Sequence, residues 1–241
     1  MNEIQQKIKA IMEKELSGSA HSMDHVMRVH DLCMHLADAE MAARAESKRT
    51  EIADGEKDVD KDVLEASVLL HDIARVKEAG DNTGNTDHAV LGSVMSEKIL
   101  KELNFPPEKI EKVKHSIACH RFRTGNEPKT IEAKILFDAD KLDTLGAVGI
   151  ARLFMVAGEH GEKIYVDTPI EEYISDNLVG GKPNGRIKNP SKHSPNLDFV
   201  TKVIHIPDKL YTQKAKEIAK ERMGFMQEFF ERLKNEVHGK R

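Results

Sequence analysis

The stretch Val68-Leu69-Leu70-His71-Asp72-Ile73-Ala74-Arg75 decides how this chain is read. Three apolar residues run straight into a histidine and an aspartate, and Ile73 and Ala74 carry the apolar character on. Packing alone does not explain the doublet, because a carboxylate between Leu70 and Ile73 is costly to bury without a counter-charge. A bound cation supplies that charge; an ion pair with Arg28 or Arg75 is the plain alternative. On a helix, neighbouring side chains point about 100° apart, so both reach one ion only if it lies beside the helix. Upstream, His25 stands near the start of a segment with Val26, Val29, Leu32, Cys33 and Leu36 at helical spacing. Downstream, the run Phe137-Asp138-Ala139-Asp140-Lys141-Leu142-Asp143 places three carboxylates among core-type residues. Asp140 and Asp143 share a helix face and Asp138 points elsewhere, yet spacing does not choose among them. Two imidazoles and two carboxylates suit one divalent ion such as Mn²⁺, Fe²⁺ or Mg²⁺. An ion with open positions makes water a nucleophile at neutral pH, so these residues point to a metal-dependent hydrolase.

The bulk of the sequence is compatible with that. The 241 residues are 39% hydrophobic and 32% charged, with 5% aromatics and no tryptophan, which implies an aliphatic core suited to helices. A net charge of −4 argues against binding long nucleic acid, which needs a basic face. A local basic pocket for a small phosphorylated ligand stays compatible with it. Cys33 and Cys119 form no CxxC, so neither a disulfide framework nor a structural zinc is expected. The N-terminal MNEIQQKIKAIMEKEL is charged and amphipathic, and no stretch approaches the ~20 apolar residues of a membrane span. The expectation is a cytoplasmic protein with no membrane partner.

Apolar periodicity predicts helices over about 3–16, 23–45 (capped by Ser22), 61–76, 88–103, 108–120, 130–143, 146–158 and 208–237. Residues 46–60 are polar loop, and 77–87 form a Gly/Asn/Asp loop directly after the doublet, where loops often shape sites. The stretch from 160 to 197, with Gly180-Gly181, Pro183, Gly185, Pro190 and Pro195, reads as an irregular excursion with room for a short hairpin. Its Lys182, Arg186, Lys188 and Lys192 suit either a basic lid or an ordinary surface loop. The fold expected is an all-α bundle forming one domain over 1–241. Its core lies at about 20–158, the excursion at 160–197, and C-terminal helices at 198–237 pack on the core. Phe229 and Phe230 in the last helix suit a core or a homo-oligomer contact.

The stretches His25-Val26-Met27-Arg28-Val29, Leu69-Leu70-His71-Asp72-Ile73-Ala74 and Asp138-Ala139-Asp140-Lys141-Leu142-Asp143 occur in that order. The third runs on through Leu145-Gly146-Ala147-Val148-Gly149-Ile150-Ala151-Arg152. Together they resemble the HD superfamily of metal-dependent phosphohydrolases, and in particular a branch of small bacterial and archaeal hydrolases. The segments Glu221-Arg222-Met223 and Glu228-Phe229 are similar to that branch too. The resemblance implies an all-α HD-domain bundle holding one divalent metal ion (Mn²⁺, Mg²⁺, Fe²⁺, Co²⁺ or Ni²⁺) between helices. It implies the ligand set His25, His71, Asp72 and Asp140, and it is the resemblance that selects Asp140 from the three carboxylates. It also implies hydrolysis of a phosphoester or phosphoanhydride, with a nucleoside triphosphate pyrophosphohydrolase favoured. The alternatives are a catalytically weak regulatory domain that binds metal and nucleotide, a 5'-nucleotidase or another phosphomonoesterase, and a di-iron oxygenase.

Around that set, Arg75 and Lys77 are placed to clamp phosphate oxygens, as is Arg121 with Arg123. His88 and His115 are expected to line the same pocket as phosphate contacts or proton donors. His120 and Asp143 are expected to orient ligands, Asp143 through Lys141 or Arg152. HD branches with a second metal carry an adjacent His-His pair, whereas Ser116-Ile117-Ala118-Cys119 separate His115 from His120, so one ion is expected. Gly146 and Gly149 suggest close packing near the site.

Overall fold

The computed structural model describes residues 1–16, 23–49, 58–81, 83–121 and 125–240. The expected cap Ser22, most of loop 46–60 and Arg123 lie outside them. All regular structure among the described residues is helical. An isolated antiparallel bridge between Leu178 and Ile187 is all that corresponds to the hairpin considered for 160–200. Two compact units are distinguished: Met1–Asp140 with Tyr211–Ala215, and Lys141–Leu210 with Lys216–Arg241.

In the first unit, α1 (Glu3–Glu15) starts on a reciprocal cap in which Asn2 and Gln5 exchange side-chain and backbone hydrogen bonds. It buries Ile8 and Met12. Helix α2 (Met23–Arg49) buries Val26, Val29, Cys33, Leu36 and Ala37 along one stripe. Helix α3 (Lys61–Leu70) is buried at Val63, Leu64 and every residue from Ala66 to Leu70. A helix buried all round its C-terminal half must be surrounded, and α1, α2 and α6 (Pro107–Cys119) pack on it. Its start is fixed by Asp60, which accepts from the Val63 amide at 3.3 Å and receives Lys109 Nζ at 3.0 Å. The remaining elements are α4 (Arg75–Ala79), α5 (His88–Glu102) and α7 (Ile131–Leu142). Leu69, Leu70 and Ile73 join Met12, Val26, Leu100, Val113 and Ile117 in one core.

The helix predicted over 61–76 is interrupted. After Leu70 the backbone tightens to three-residue hydrogen bonds, Ile73 N to Leu70 O at 3.1 Å and Arg75 N to Asp72 O at 2.9 Å. The His71 ring explains the break, because its Nδ1 takes the Val68 carbonyl at 2.7 Å. Helix α5 comes close to this turn at Gly92, where a Cβ would meet Ile73 Cγ2 at 3.4 Å and the His71 carbonyl at 3.5 Å. The loop that follows is ordered by Asp81, which accepts from Thr83 N at 2.8 Å and Thr86 N at 2.7 Å.

The second unit holds α8 (Gly146–Glu159), α9 (Ile170–Asn177), α10 (Pro195–Thr201) and most of α11 (Gln213–Val237). Phe199 stacks on Phe230 at 4.5 Å, and Phe154 meets both Phe229 and Phe230, so these phenylalanines serve this unit's core. The predicted excursion is tied to α9. Asn177 and Asn189 bond reciprocally at 3.0 Å, and Lys188 Nζ donates to the Asp176 carbonyl at 3.1 Å, where helix-end carbonyls favour a cation. Gly149 has no room for a side chain, since a Cβ would stand 2.2 Å from the Thr144 carbonyl oxygen. No described helix is long and apolar enough to cross a membrane.

Leu69→Ala should lower the unfolding free energy by about 2–5 kcal/mol, the range for emptying a packed core position. Phe225→Ala, at a side chain 51% exposed, should change it by less than about 0.5 kcal/mol. Urea unfolding of both variants checks this.

Candidate metal centre

All the clustered side chains belong to the first unit and come from the ends of its helices. His25 lies in the first turn of α2, His71 and Asp72 in the turn after α3, and His88 is the first residue of α5. His120 follows α6, and Asp140 is near the end of α7. Two of the histidines cap their helices in the same way. His71 Nδ1 lies 2.7 Å from Val68 O and His120 Nδ1 lies 2.6 Å from Ile117 O. A carbonyl only accepts, so each ring carries its proton on Nδ1, satisfies an orphan helix-end carbonyl, and turns an Nε2 lone pair inward.

Those lone pairs meet anions. His71 Nε2 is 3.3 Å from His25 Nε2, and each is 3.8 Å from Asp72 Oδ2. Asp140 Oδ1 adds a second carboxylate 3.4 Å from His25 Nε2. A lone pair facing carboxylate oxygens repels unless a cation lies between them. The ligand atoms of His25, His71 and Asp72 all lie within 4.8 Å of one another, and two nitrogens with two carboxylates fit a divalent ion. Asp72 turns its other oxygen to a second set. Oδ1 is 3.5 Å from His88 Nε2 and 3.7 Å from His120 Nε2, and those nitrogens are 3.1 Å apart. The four imidazoles form an edge-to-face chain at 5.3, 5.2 and 5.1 Å.

Burial dominates the electrostatics. It pushes the His71 pKa from 6.5 down to about 4, despite the opposing pull of Asp72. Burial, reinforced by Arg75, lowers His88 to about 4 as well. Burial alone would raise Asp72, but His71, His120 and Arg75 hold its carboxyl well below the usual range. The centre therefore sets two neutral imidazoles, His71 and His88, beside an ionised carboxylate.

The three carboxylates left open by spacing part company here. Asp138 is spent on the start of α11, accepting from Tyr211 N at 2.9 Å, Thr212 N at 2.7 Å and Thr212 Oγ1 at 2.7 Å. Asp143, in the second unit, pairs with Arg152 at 2.6 Å. Asp140 is the one beside His25. Arg75 lies at the cluster with Nε 3.8 Å from Asp72 Oδ2, and that Nε is buried with no hydrogen-bond partner. Arg28 pairs instead with Asp24. His88 and His120 are brought together at Asp72, whereas His115 accepts from the Lys129 amide at 3.0 Å and lies beside Cys119 Sγ. Lys77 is exposed on α4, and no contact among the described residues joins it to the others.

Sequence reasoning missed Glu78. Its carboxylate receives Arg75 Nη1 at 2.9 Å, Arg121 Nη1 at 2.7 Å and His88 Nδ1 at 2.8 Å. The Arg75 pairing was open to inspection as an i, i+3 pair on a helix. The other two partners are 10 and 43 positions away and had no local signal.

A family model described as the HD domain matches residues 23–145, a span that includes His25, His71, Asp72, His88, His120 and Asp140. The chain belongs to the HD domain family. It is 28% identical over 236 residues to the uncharacterized protein YpgQ of Bacillus subtilis, covering 96% of this chain and 91% of that one. The crystal structure of YpgQ in complex with ADP superposes with a TM-score of 0.66 at 26% identity, covering 97% of this chain and 94% of that one. An HD-superfamily hydrolase from Bacillus thuringiensis superposes at 0.63 with 25% identity over 98% of each. A more partial likeness, 28% over 172 residues, links it to the 3'-5' exoribonuclease YhaM of Bacillus velezensis. That match covers 66% of this chain and 52% of the exoribonuclease. The chain is thus an HD-superfamily hydrolase in fold and family, with a His/Asp cluster able to hold a divalent ion.

Two outcomes follow from the geometry. Asp72→Ala removes the carboxylate common to both sets, so elemental analysis should find bound metal reduced to background while far-UV circular dichroism stays unchanged. In the metal-stripped protein, His71 and His88 titrate near 6.5 when unfolded and about 4 when folded, so unfolding takes up protons in between. Stability present at neutral pH should therefore be lost as pH falls from 6.5 towards 4, read as a falling melting temperature across that window.

Proposed function

We propose that this HD-family chain hydrolyses nucleotide phosphoanhydrides, releasing pyrophosphate from nucleoside triphosphates, with one divalent ion held by His25, His71, Asp72 and Asp140. The observation that carries the proposal is the inward lone pair of His71 set against Asp72, beside a His25 that faces both Asp72 and Asp140. Nucleotides are the substrate class supported by YpgQ, a relative similar over nearly the whole chain whose structure holds ADP.

When bound, the ion supplies charge neutralisation on a phosphate oxygen and a more acidic water. The chain's own residues do the rest. Arg75 and Arg121, held near one another through Glu78, present guanidinium groups suited to bidentate contact with phosphate oxygens. His120 and His88 offer Nε2 beside Asp72 Oδ1, a place where the proton lost by attacking water can be held. A second ion at Asp72, His88 and His120 would make those histidines ligands, and metal stoichiometry separates the two roles. Lys77, exposed on α4, and His115, which accepts from the Lys129 amide, are left out of the machinery.

The likeness to an exoribonuclease favours a second reading, phosphodiester hydrolysis on short single-stranded RNA. A release screen separates the readings. Metal-stripped protein is resupplied with Mn²⁺, Mg²⁺, Co²⁺ or Ni²⁺ and offered nucleoside mono-, di- and triphosphates and a short RNA. Pyrophosphate from triphosphates is expected. Phosphate from monophosphates would make the protein a 5'-nucleotidase, and mononucleotides from RNA an exonuclease. Silence with metal bound would leave a regulatory binding domain. Arg121→Ala should raise KM about tenfold or more, because a charge-assisted hydrogen bond is worth ~1.5–3 kcal/mol.

A further inference from the structure

The proposed reaction gives Arg75 and Arg121 one shared task, yet Arg75 has a feature of its own. Its Nε is buried and has no hydrogen-bond partner among the described residues, while its Nη1 is engaged. Nη1 donates to Glu78 Oε2 at 2.9 Å and lies 3.0 Å from His88 Nδ1. Nη1 is the terminal nitrogen remote from the Nε–H. These contacts therefore fix the guanidinium, which is rigid and planar, without occupying its Nε side. Glu78 is itself steadied by Arg121 Nη1 at 2.7 Å, and Arg121 by Asp87 at 2.8 Å. The chain thus spends several charged groups on the direction of one guanidinium.

Near that Nε stands Asp72. Its Oδ2 lies 3.8 Å away, well beyond the ~2.7–2.9 Å of a charge-assisted hydrogen bond. The same oxygen is 3.8 Å from His25 Nε2 and from His71 Nε2. Asp72 therefore balances the charge of Arg75 without accepting its Nε–H. A buried N–H without an acceptor is costly, so it calls for a cause. A ligand that answers it must accept, must carry negative charge against a guanidinium, and must reach the residues proposed to hold the ion. A phosphate oxygen meets all of these; a neutral base or sugar does not. We infer that Arg75 is a catalytic residue whose Nε–H binds a non-bridging oxygen of the phosphorus under attack. In that reaction the oxygen of water bonds to the α-phosphorus and the bond from this phosphorus to the bridging oxygen of pyrophosphate breaks. Pyrophosphate leaves with the bonding pair, and the proton that water gives up ends in solvent. During the transfer, negative charge is spread over the non-bridging oxygens. A donor already fixed in direction stabilises that state more than the bound substrate, so it acts on kcat. Arg121, proposed for binding, acts on KM. The two arginines divide the work.

The inference rests on the proposed function for the bond that is cleaved, but its first measurement needs no turnover. ¹⁵N-arginine-labelled full-length protein, loaded with diamagnetic Mg²⁺, is titrated with a nucleoside triphosphate whose α,β-bridging oxygen is replaced by methylene. The Arg75 Nε–H, assigned through Arg75→Lys, is expected to move downfield and to exchange more slowly with water as the analogue binds. Arg75→Lys keeps the charge and a partner for Glu78 but lacks the planar donor. It should lower kcat ~10²–10³-fold, the cost of losing one aimed donor, with KM, bound metal and far-UV circular dichroism unchanged. An Nε–H that the analogue leaves unmoved overturns the inference, and that reading needs no variant to fold. A rise in KM with kcat kept in Arg75→Lys overturns it too, since Arg75 would then only bind. A protein that shows the Nε–H shift yet releases no pyrophosphate from triphosphates would sink the proposed function and leave Arg75 as a phosphate contact.

Discussion

The centre depends on one buried carboxylate shared by two pairs of imidazoles. Asp72 is almost wholly removed from solvent and ionised, with Oδ2 towards His25 and His71 and Oδ1 towards His88 and His120. An ionised carboxylate in that position is costly unless positive charge reaches it. Arg75 supplies some, at 3.8 Å and with an Nε that finds no hydrogen-bond partner, which is a weak contact for a buried pair. The histidines supply none while neutral, and burial keeps His71 and His88 neutral near pH 7. A divalent cation held by the cluster would close this deficit.

The helices around this centre exist largely to impose that arrangement. Because the C-terminal half of α3 is buried from Ala66 to Leu70, the helix delivers its end, with the doublet, into the interior of its unit. The two helix-capping histidines then convert a routine need, satisfying orphan carbonyls, into fixed tautomers. Orientation of metal ligands usually requires separate partners outside the ligand set. For His71 and His120 the helix ends themselves provide them. His88 has no helix carbonyl to bind, because it begins a helix instead of ending one, and its Nδ1 lies between the Glu78 carboxylate and the Arg75 guanidinium.

What was legible in the sequence follows the range of each interaction. Helix positions came through because they repeat every few residues: the stripe Val26, Val29, Cys33 and Leu36, and the buried block Val68–Leu70, are local patterns. The doublet stood out because an acidic residue among apolar ones breaks its surroundings. The interruption after Leu70 was hidden, since a tightened turn over 71–74 keeps the same apolar spacing as a continuing helix. Likewise, spacing could not separate Asp138, Asp140 and Asp143. What separates them is the partner each meets, and for Asp138 that partner lies 73 and 74 residues away at Tyr211 and Thr212. His115 and His120 looked equivalent in the sequence, yet one ends up holding the Lys129 amide and the other capping α6 beside Asp72.

The division of Asp72 between two sets also bears on how substitutions combine. Residues that share a partner couple, and their separate effects do not add. His25 and His71 meet one oxygen, His88 and His120 the other, so a change in either pair alters the surroundings of a carboxylate that the other pair also faces. Loss of His88 alone removes a neutral ring and leaves the carboxylate intact. Loss of Glu78 leaves the ring in place but removes an ion-pair partner from Arg75 and from Arg121. The second change therefore reaches further than the first, although Glu78 lies outside the ligand set, because His88, Arg75 and Arg121 all meet its carboxylate.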